Sequence, residues 1–303
     1  MTERHEKIEY NIKAKEVVHY EIYEGEKVVD RGTIGGNSFT SLGINRVAQM
    51  AAGLLEPATY KINAFEVKVA TPTNSWYSTA TVVSYWANSG AVTAETITFQ
   101  SPGTYYHIAG KVSNEGGAAW ASIYNILSPN VVLTTGQTVK FFVEYSFVGL
   151  GANTGPVAWT PTAGGVRVDG DRICAGLLFN TDGAAPGGAV TLCNAAIKWL
   201  AADCDNPQVM MSIPPPLNVS VVSNNTIWIS GHTWTLANGQ YMRGIYVMGS
   251  WQTPFVGTGH RIFGNWRSDG VPDTLHQPSG PTYIMNTTTS PVTVHTDFEF
   301  KFL

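Results

Sequence analysis

Charge is scarce in this chain. Lys and Arg number 18 and Asp and Glu 22, so only 13% of the 303 residues are charged, roughly half the usual share. The net charge of −4 and the pI near 6.0 exclude the basic field that draws a protein to nucleic acid. Arg243, Arg261 and Arg267 stand scattered among Trp and Gly and make no phosphate cluster. Cysteine is nearly missing too. Cys174, Cys193 and Cys204 are odd in number and confined to the second half, which excludes a disulfide framework. No CxxC pair supplies a zinc signature. No apolar run is long enough to span a bilayer, and the charged start, Met1-Thr2-Glu3-Arg4-His5-Glu6-Lys7, lacks an apolar signal core. Synthesis in the cytoplasm without a signal peptide, and no membrane insertion, are therefore expected. Walker, GxGxxG, HExxH and GxSxG motifs are all missing. The expectation is a protein that is not an enzyme and holds no metal or cofactor.

What is abundant is apolar and uncharged polar residues. Hydrophobic residues make up 44%, enough for a packed core, and Ser, Thr, Asn, Gln and Gly must supply the surface. Such a surface suits extensive contacts with neighbours, because few charges need desolvating. Ile8, Tyr10 and Ile12, then Val18, Tyr20 and Ile22, alternate with polar residues as a strand does. Glu24-Gly25-Glu26-Lys27 reads as a hairpin turn into Val28-Val29. A helix is predicted over 42–55, with Thr40 or Ser41 as N-cap. Its apolar face is Ile44, Val47, Ala48, Ala51, Leu54 and Leu55, and the face is expected to be core against a sheet of its own domain. Strands are then predicted at Ile62–Val69, Ala80–Tyr85, Ala94–Phe99, Tyr105–Val112, Ala118–Leu127 and Val139–Phe147. Ser128-Pro129-Asn130 is among the turns between them.

Residues Gly149–Gly165 are rich in Gly, Pro, Thr and Ala and mark a boundary. Beyond it the first half recurs in outline. Asn45-Arg46-Val47-Ala48 returns as Asp171-Arg172-Ile173-Cys174, and Ala64–Ala70 returns as Ala195–Ala201. The closing strand Thr138–Tyr145 returns in Val292–Phe302. Three blocks in one order predict a duplication. The expected fold is mainly β, with two tandem antiparallel β-sandwich domains, each with a short helix. The N-terminal domain would span 1–150, a linker 151–165 and the C-terminal domain 166–303. A long insert at about 251–279 lacks periodicity and is the segment expected to carry contacts.

Little in the chain points to chemistry. His260, His276 and His295 with Asp269, Asp273 and Asp297 show no helical ligand spacing, and His295-Thr296-Asp297 reads as one solvated strand face. Asp169-Gly170-Asp171 opens like a calcium loop but lacks the closing Glu, and reads as a helix cap. Trp251 and Trp266, with Arg261, Arg267 and Asp269, are the candidate partner or glycan contacts, since exposed rings stack on sugars and on neighbours.

Gly36-Asn37-Ser38-Phe39-Thr40 leads into Gly43-Ile44-Asn45-Arg46-Val47-Ala48, and Leu133-Thr134-Thr135-Gly136-Gln137-Thr138-Val139 precedes an aromatic strand. Over about residues 15–148 these stretches resemble virion structural proteins of tailed bacteriophages. The resemblance implies a structural component of the particle, in the tail, baseplate or capsid-associated. Such a component would contact itself and other virion proteins in a symmetric oligomer. The alternative is a glycan-binding receptor-recognition or adhesion module touching host-surface glycan, and a third reading is a hydrolase without a recognisable motif.

Overall fold

The computed structural model describes all residues except 1–2, 38, 71–72, 87–90, 113–119, 150–155, 158–165, 169, 181–195, 206–208, 214–216, 251–260, 268–283 and 286–289. The protein is mainly β. Strand β1 (Glu3–Glu24) turns at Gly25 into β2 (Lys27–Asn37) and then helices α1 (Ser41–Ala51) and α2 (Pro57–Tyr60). Strands β3 (Ala64–Ala70), β4 (Thr73–Thr79), β5 (Thr81–Trp86), β6 (Ala91–Glu95), β7 (Gly103–Val112), β8 (Trp120–Leu133) and β9 (Gln137–Val148) complete the first half. Then come β10 (Pro156–Val157), β11 (Val166–Val168) and helix α3 (Gly170–Phe179). Strands β12 (Ala196–Asp205), β13 (Val209–Ile213), β14 (Val219–Val222), β15 (Thr226–Leu236) and β16 (Tyr241–Ser250) follow. The last are β17 (Arg261–Arg267), β18 (Ile284–Met285) and β19 (Val292–Phe302).

These strands form three sheets. A four-stranded sheet runs β4-β3-β7-β8, and a seven-stranded one runs β10-β11-β17-β16-β12-β13 with β18 beside β16. The third, of eight strands, runs β14-β15-β19-β1-β9-β6-β5 with β2 beside β1. It draws strands from both sides of the boundary near residue 150. The strand orders repeat: β4-β3-β7-β8 matches β13-β12-β16-β17, and β5-β6-β9 matches β14-β15-β19. β1 joins the two sets. Its residues Glu3–Ile12 lie parallel to Thr293–Phe302 of β19, and its residues Lys13–Glu24 lie antiparallel to Gln137–Val148 of β9. The β1–β19 and β11–β17 ladders are parallel, departing from the antiparallel pattern of the other ladders.

At the change of partner the backbones crowd together. The Leu303 N–H donates to Ile12 O and the Ala14 N–H to Leu303 O. Gly149, at φ +147, ends β9 so close to β1 that a Cβ there would lie 2.4 Å from Asn11 O. Only glycine fits that approach and that φ.

Alternation decides what is buried. Along β9, Val139, Phe141, Val143, Tyr145 and Phe147 point inward, and along β19 so do Val292, Val294, Thr296, Phe298, Phe300 and Phe302. Period-two burial is what a sheet covered on one face demands. Phe141 meets Tyr105 of the four-stranded sheet at a ring separation of 5.8 Å, and Phe300 meets Phe263 of the seven-stranded sheet at 5.1 Å. Each half of the long sheet therefore faces a shorter one, and a single hydrophobic cluster runs through all three.

Helix α1 starts where Thr40 Oγ1 accepts the Gly43 N–H at 3.0 Å, an N-cap that satisfies one of the free donors. Ile44, Val47, Ala48 and Ala51 are buried as expected. The expectation for Leu54 and the end at 55 is corrected. Gly53 takes φ +77, its N–H donates to Met50 O and the Leu54 N–H donates to Gln49 O. That paired closure ends a helix at the left-handed glycine. The chain turns outward, leaving Leu54 54% exposed and Leu55 only partly buried. The helix is core, but not of one half alone: it packs on β8 and α3 and also reaches β12 and β15. Helix α3 packs on β9, β6 and β5 as well as on β17. Its Cys174 is buried and takes part in no disulfide.

Other boundaries differ too. β8 runs unbroken through Ser128-Pro129-Asn130, which reads as a turn in sequence. A register shift between Tyr105/His107 on the partner absorbs it, as bulges often do beside proline. β4 went unpredicted because Thr73-Asn74-Ser75-Trp76-Tyr77-Ser78-Thr79 has only two large apolar residues. The linker falls mostly outside the described residues, but Pro156 and Val157 pair with Arg167 and Val166. Among the described residues no helix is long and apolar enough to cross a membrane.

Phe300 is fully buried between Tyr10, Phe263 and Phe298. Phe300→Ala should therefore cost about 3–5 kcal/mol in denaturant unfolding. Leu54→Asp, on an exposed turn, should change stability by no more than about 0.5 kcal/mol; a large loss would put Leu54 in the core after all.

Candidate functional site

The residues singled out in sequence do not come together as described side chains. Trp251 and Asp269 lie outside the described residues. Arg261, Trp266 and Arg267 are not in an irregular insert: Arg261–Arg267 is strand β17, paired with β16 and, at Arg261 and Ile262, with β11. The insert reading failed there because Gly264 and the register shift facing it, between Val247 and Met248 on β16, interrupt the alternation. His295 and Asp297 do share a half-exposed face of β19, with Thr296 buried behind it. They do not pair with each other. His295 Nδ1 lies 3.2 Å from Thr233 Oγ1, and Asp297 accepts the Gly231 N–H at 2.9 Å.

Two polar clusters emerge instead, and alternation along paired strands builds both. The first lies on the four-stranded sheet. Glu66 on β3 stands opposite Ala109 on β7, and Lys68 stands opposite His107. The small side chain at Ala109 lets His107 and Lys111, two residues to either side, lean toward the carboxylate. Lys111 Nζ sits 2.8 Å from Glu66 Oε2, Lys68 Nζ 3.7 Å from Oε1, and His107 Nε2 3.8 Å from Oε2. Tyr77, opposite Glu66 on β4, donates its hydroxyl to Oε1 at 3.5 Å.

Glu66, His107 and Lys111 are all buried. Burial alone would raise the Glu66 carboxyl, but the hydrogen bond and charge of Lys111, with Lys68 and His107, hold it below the usual carboxylate range. Burial drives His107 down to about 4, and Lys68 pushes the same way against the pull of Glu66. At neutral pH the cluster is thus an ionised carboxylate held by lysine beside a neutral imidazole. A carboxylate so stabilised is a weak base. The arrangement fastens β3 to β7. Read as letters, Glu-x-Lys and His-x-Ala-x-Lys look like solvated strand faces, and only the pairing register reveals a shared charge centre.

The second cluster lies where the chain begins and ends. His5 stands directly opposite His295 in the parallel ladder, their rings stacked at 4.6 Å and 13°. Glu3 lies on the same face, and its carboxylate with the two imidazoles offers three donor atoms within 4.8 Å of one another. Alongside, Lys7 bridges to Glu299 at 2.8 Å and sits 5.4 Å from the Trp228 ring. Sequence reading missed Glu3 and His5 because they look like a charged, solvated start; the Glu-x-His spacing on a strand was the available signal. The chain matches no protein-family model, no curated protein and no solved structure.

The sign for His107 follows from its depressed value. The unfolded chain holds the proton near 6.5 and the folded state releases it down to about 4. Its contribution to stability is full above about 6.5 and is lost as pH falls through about 4; that of Glu66 is lost in the same direction, below the carboxylate range. Between pH 7 and pH 5 the His107 share should be about 2 kcal/mol. Denaturant unfolding should show His107→Gln losing less stability over that span than the parent. An equally steep fall would contradict the assignment. Lys111→Met should cost about 3–5 kcal/mol by leaving Glu66 buried without its cation, and Glu66→Leu added to it should recover most of the loss.

Proposed function

We propose that the chain is a non-enzymatic structural subunit of a tailed-phage particle, in its tail, its baseplate or on its capsid. It acts through contacts with copies of itself and with other virion proteins. One observation carries this reading: among the described residues, Glu3–Ile12 of β1 pairs with β19 on one side only. Ile12 and Ala14 turn their backbone groups to β19. By alternation the odd residues Glu3, His5, Lys7, Glu9 and Asn11 turn theirs to the other side, where no strand is described. An edge that no described strand covers, in the middle of a long sheet, is a template for another chain.

The low charge of the surface supports the same reading, since few ions need desolvating at a contact. The sequence resemblance to phage virion proteins supplies the kind of assembly. We also propose that the halves arose by duplication of one sandwich-plus-helix unit. The matched strand orders support this, as does the burial of both Val47 and Ile173, which correspond in the recurring sequence blocks. Each helix then lodges partly in the other unit, which would lock the two sandwiches together.

The edge is testable by proline. At Glu9 a proline removes an N–H on the open side and leaves the β1–β19 bonds in place. The parent should sediment as an oligomer at micromolar concentration and show ordered assemblies by electron microscopy. Glu9→Pro should melt at nearly the parental temperature yet sediment as a monomer. A parent chain that stays monomeric at tens of micromolar would sink this reading, and so would a Glu9→Pro chain that assembles as the parent does.

A further inference from the structure

We propose that Glu3, His5 and His295 form a site for one divalent transition-metal ion of the zinc, nickel and copper class, pinning the first strand to the last. Three features point to it together. The donor set is right: two imidazoles and a carboxylate suit these metals, whereas magnesium and calcium take oxygen-only sets. The backbone places it. His5 and His295 are direct partners in the β1–β19 ladder, and Glu3 is two residues up the same strand face. The donor atoms lie within 4.8 Å of one another. Donors about 2.0–2.1 Å from a tetrahedral ion need to close by only an ångström or so, which the exposed Glu3 and His5 and the half-exposed His295 achieve by small rotations.

The third feature is the ring orientation. Thr233, opposite His295 on β15, holds its Nδ1 at 3.2 Å and leaves Nε2 as the free ligand atom. A hydroxyl on the far nitrogen is the outer support that metal-bound imidazoles use to fix their tautomer and angle. The ladder register sets the two imidazoles face to face at 4.6 Å on the outward side of the sheet. With an ion, the stack becomes a chelate. Three protein ligands leave the ion at least one position open to solvent. Because the ligands come from the two ends of the chain, the ion binds the folded state and stabilises it by mass action.

The test uses the full chain without an affinity tag, which would bind these metals itself. Calorimetric titration with zinc chloride should give one equivalent of saturable binding. The melting temperature should rise with zinc, nickel or copper, and stay put with magnesium or calcium. His5→Ala and His295→Ala should each weaken zinc at least tenfold, Thr233→Val about tenfold, and His19→Ala not at all. With copper, electron paramagnetic resonance should show two coupled nitrogens in the parent and one in His5→Ala. The absence of saturable zinc binding would overturn the proposal. So would zinc affinity or copper nitrogen coupling that His5→Ala and His295→Ala leave unchanged.

Discussion

The change of partner along β1 is the constraint on which the rest of the structure depends. One uninterrupted strand of 22 residues is bonded first to β19 and then to β9. The two closing strands come from opposite halves of the chain, so neither half completes its long-sheet layer without β1. Where the partners change, at Ile12 and Lys13, the ends of β9 and β19 approach one backbone from opposite sides. Gly149 and the Leu303 hydrogen bonds make that crossing possible. A wider residue at 149 would push β9 away from β1 and open the seam where β1 changes partner.

The burial pattern follows from that seam. Ile8, Tyr10 and Ile12 point toward Phe298, Phe300 and Phe302, and Val18 and Ile22 point into the core shared with Val139 and Val143. The same inward face therefore serves two stretches of one continuous core, and the helices pack into that core as well. Tyr145 touches both Phe39, just before α1, and Phe179, at the end of α3. From Glu3 to Lys15 the outward face of β1 is polar. That alternation leaves the first strand to present charge and imidazole without exposing the core.

The polar clusters are consequences of register. Glu66 gains Lys111 and His107 because β3 and β7 pair with Ala109 opposite it. A one-residue slip would send those side chains to the other face. His5 meets His295 for the same reason in a parallel ladder. In both cases ordinary strand residues become a site only because another strand lies at one particular offset.

What the sequence by itself determined is local. Alternation marked most strands, Thr40 marked the start of α1, and the recurrence of Asn45–Ala48 as Asp171–Cys174 pointed to a second helix, which is α3. Those signals arise from neighbours a few residues apart, whose burial and capping are fixed by backbone period and side-chain reach. The tertiary structure alone decided who pairs with whom. Val292–Phe302 reads as a half-buried strand in any register. Nothing local says that it lies beside Glu3–Ile12, and in parallel. Nor does anything within the helix show that Leu54 turns outward, since its spacing fits the apolar face until Gly53 adopts φ +77 and closes the helix. Partner choice rests on the burial of whole faces across the full length of the chain, and a single strand's pattern is compatible with many partners.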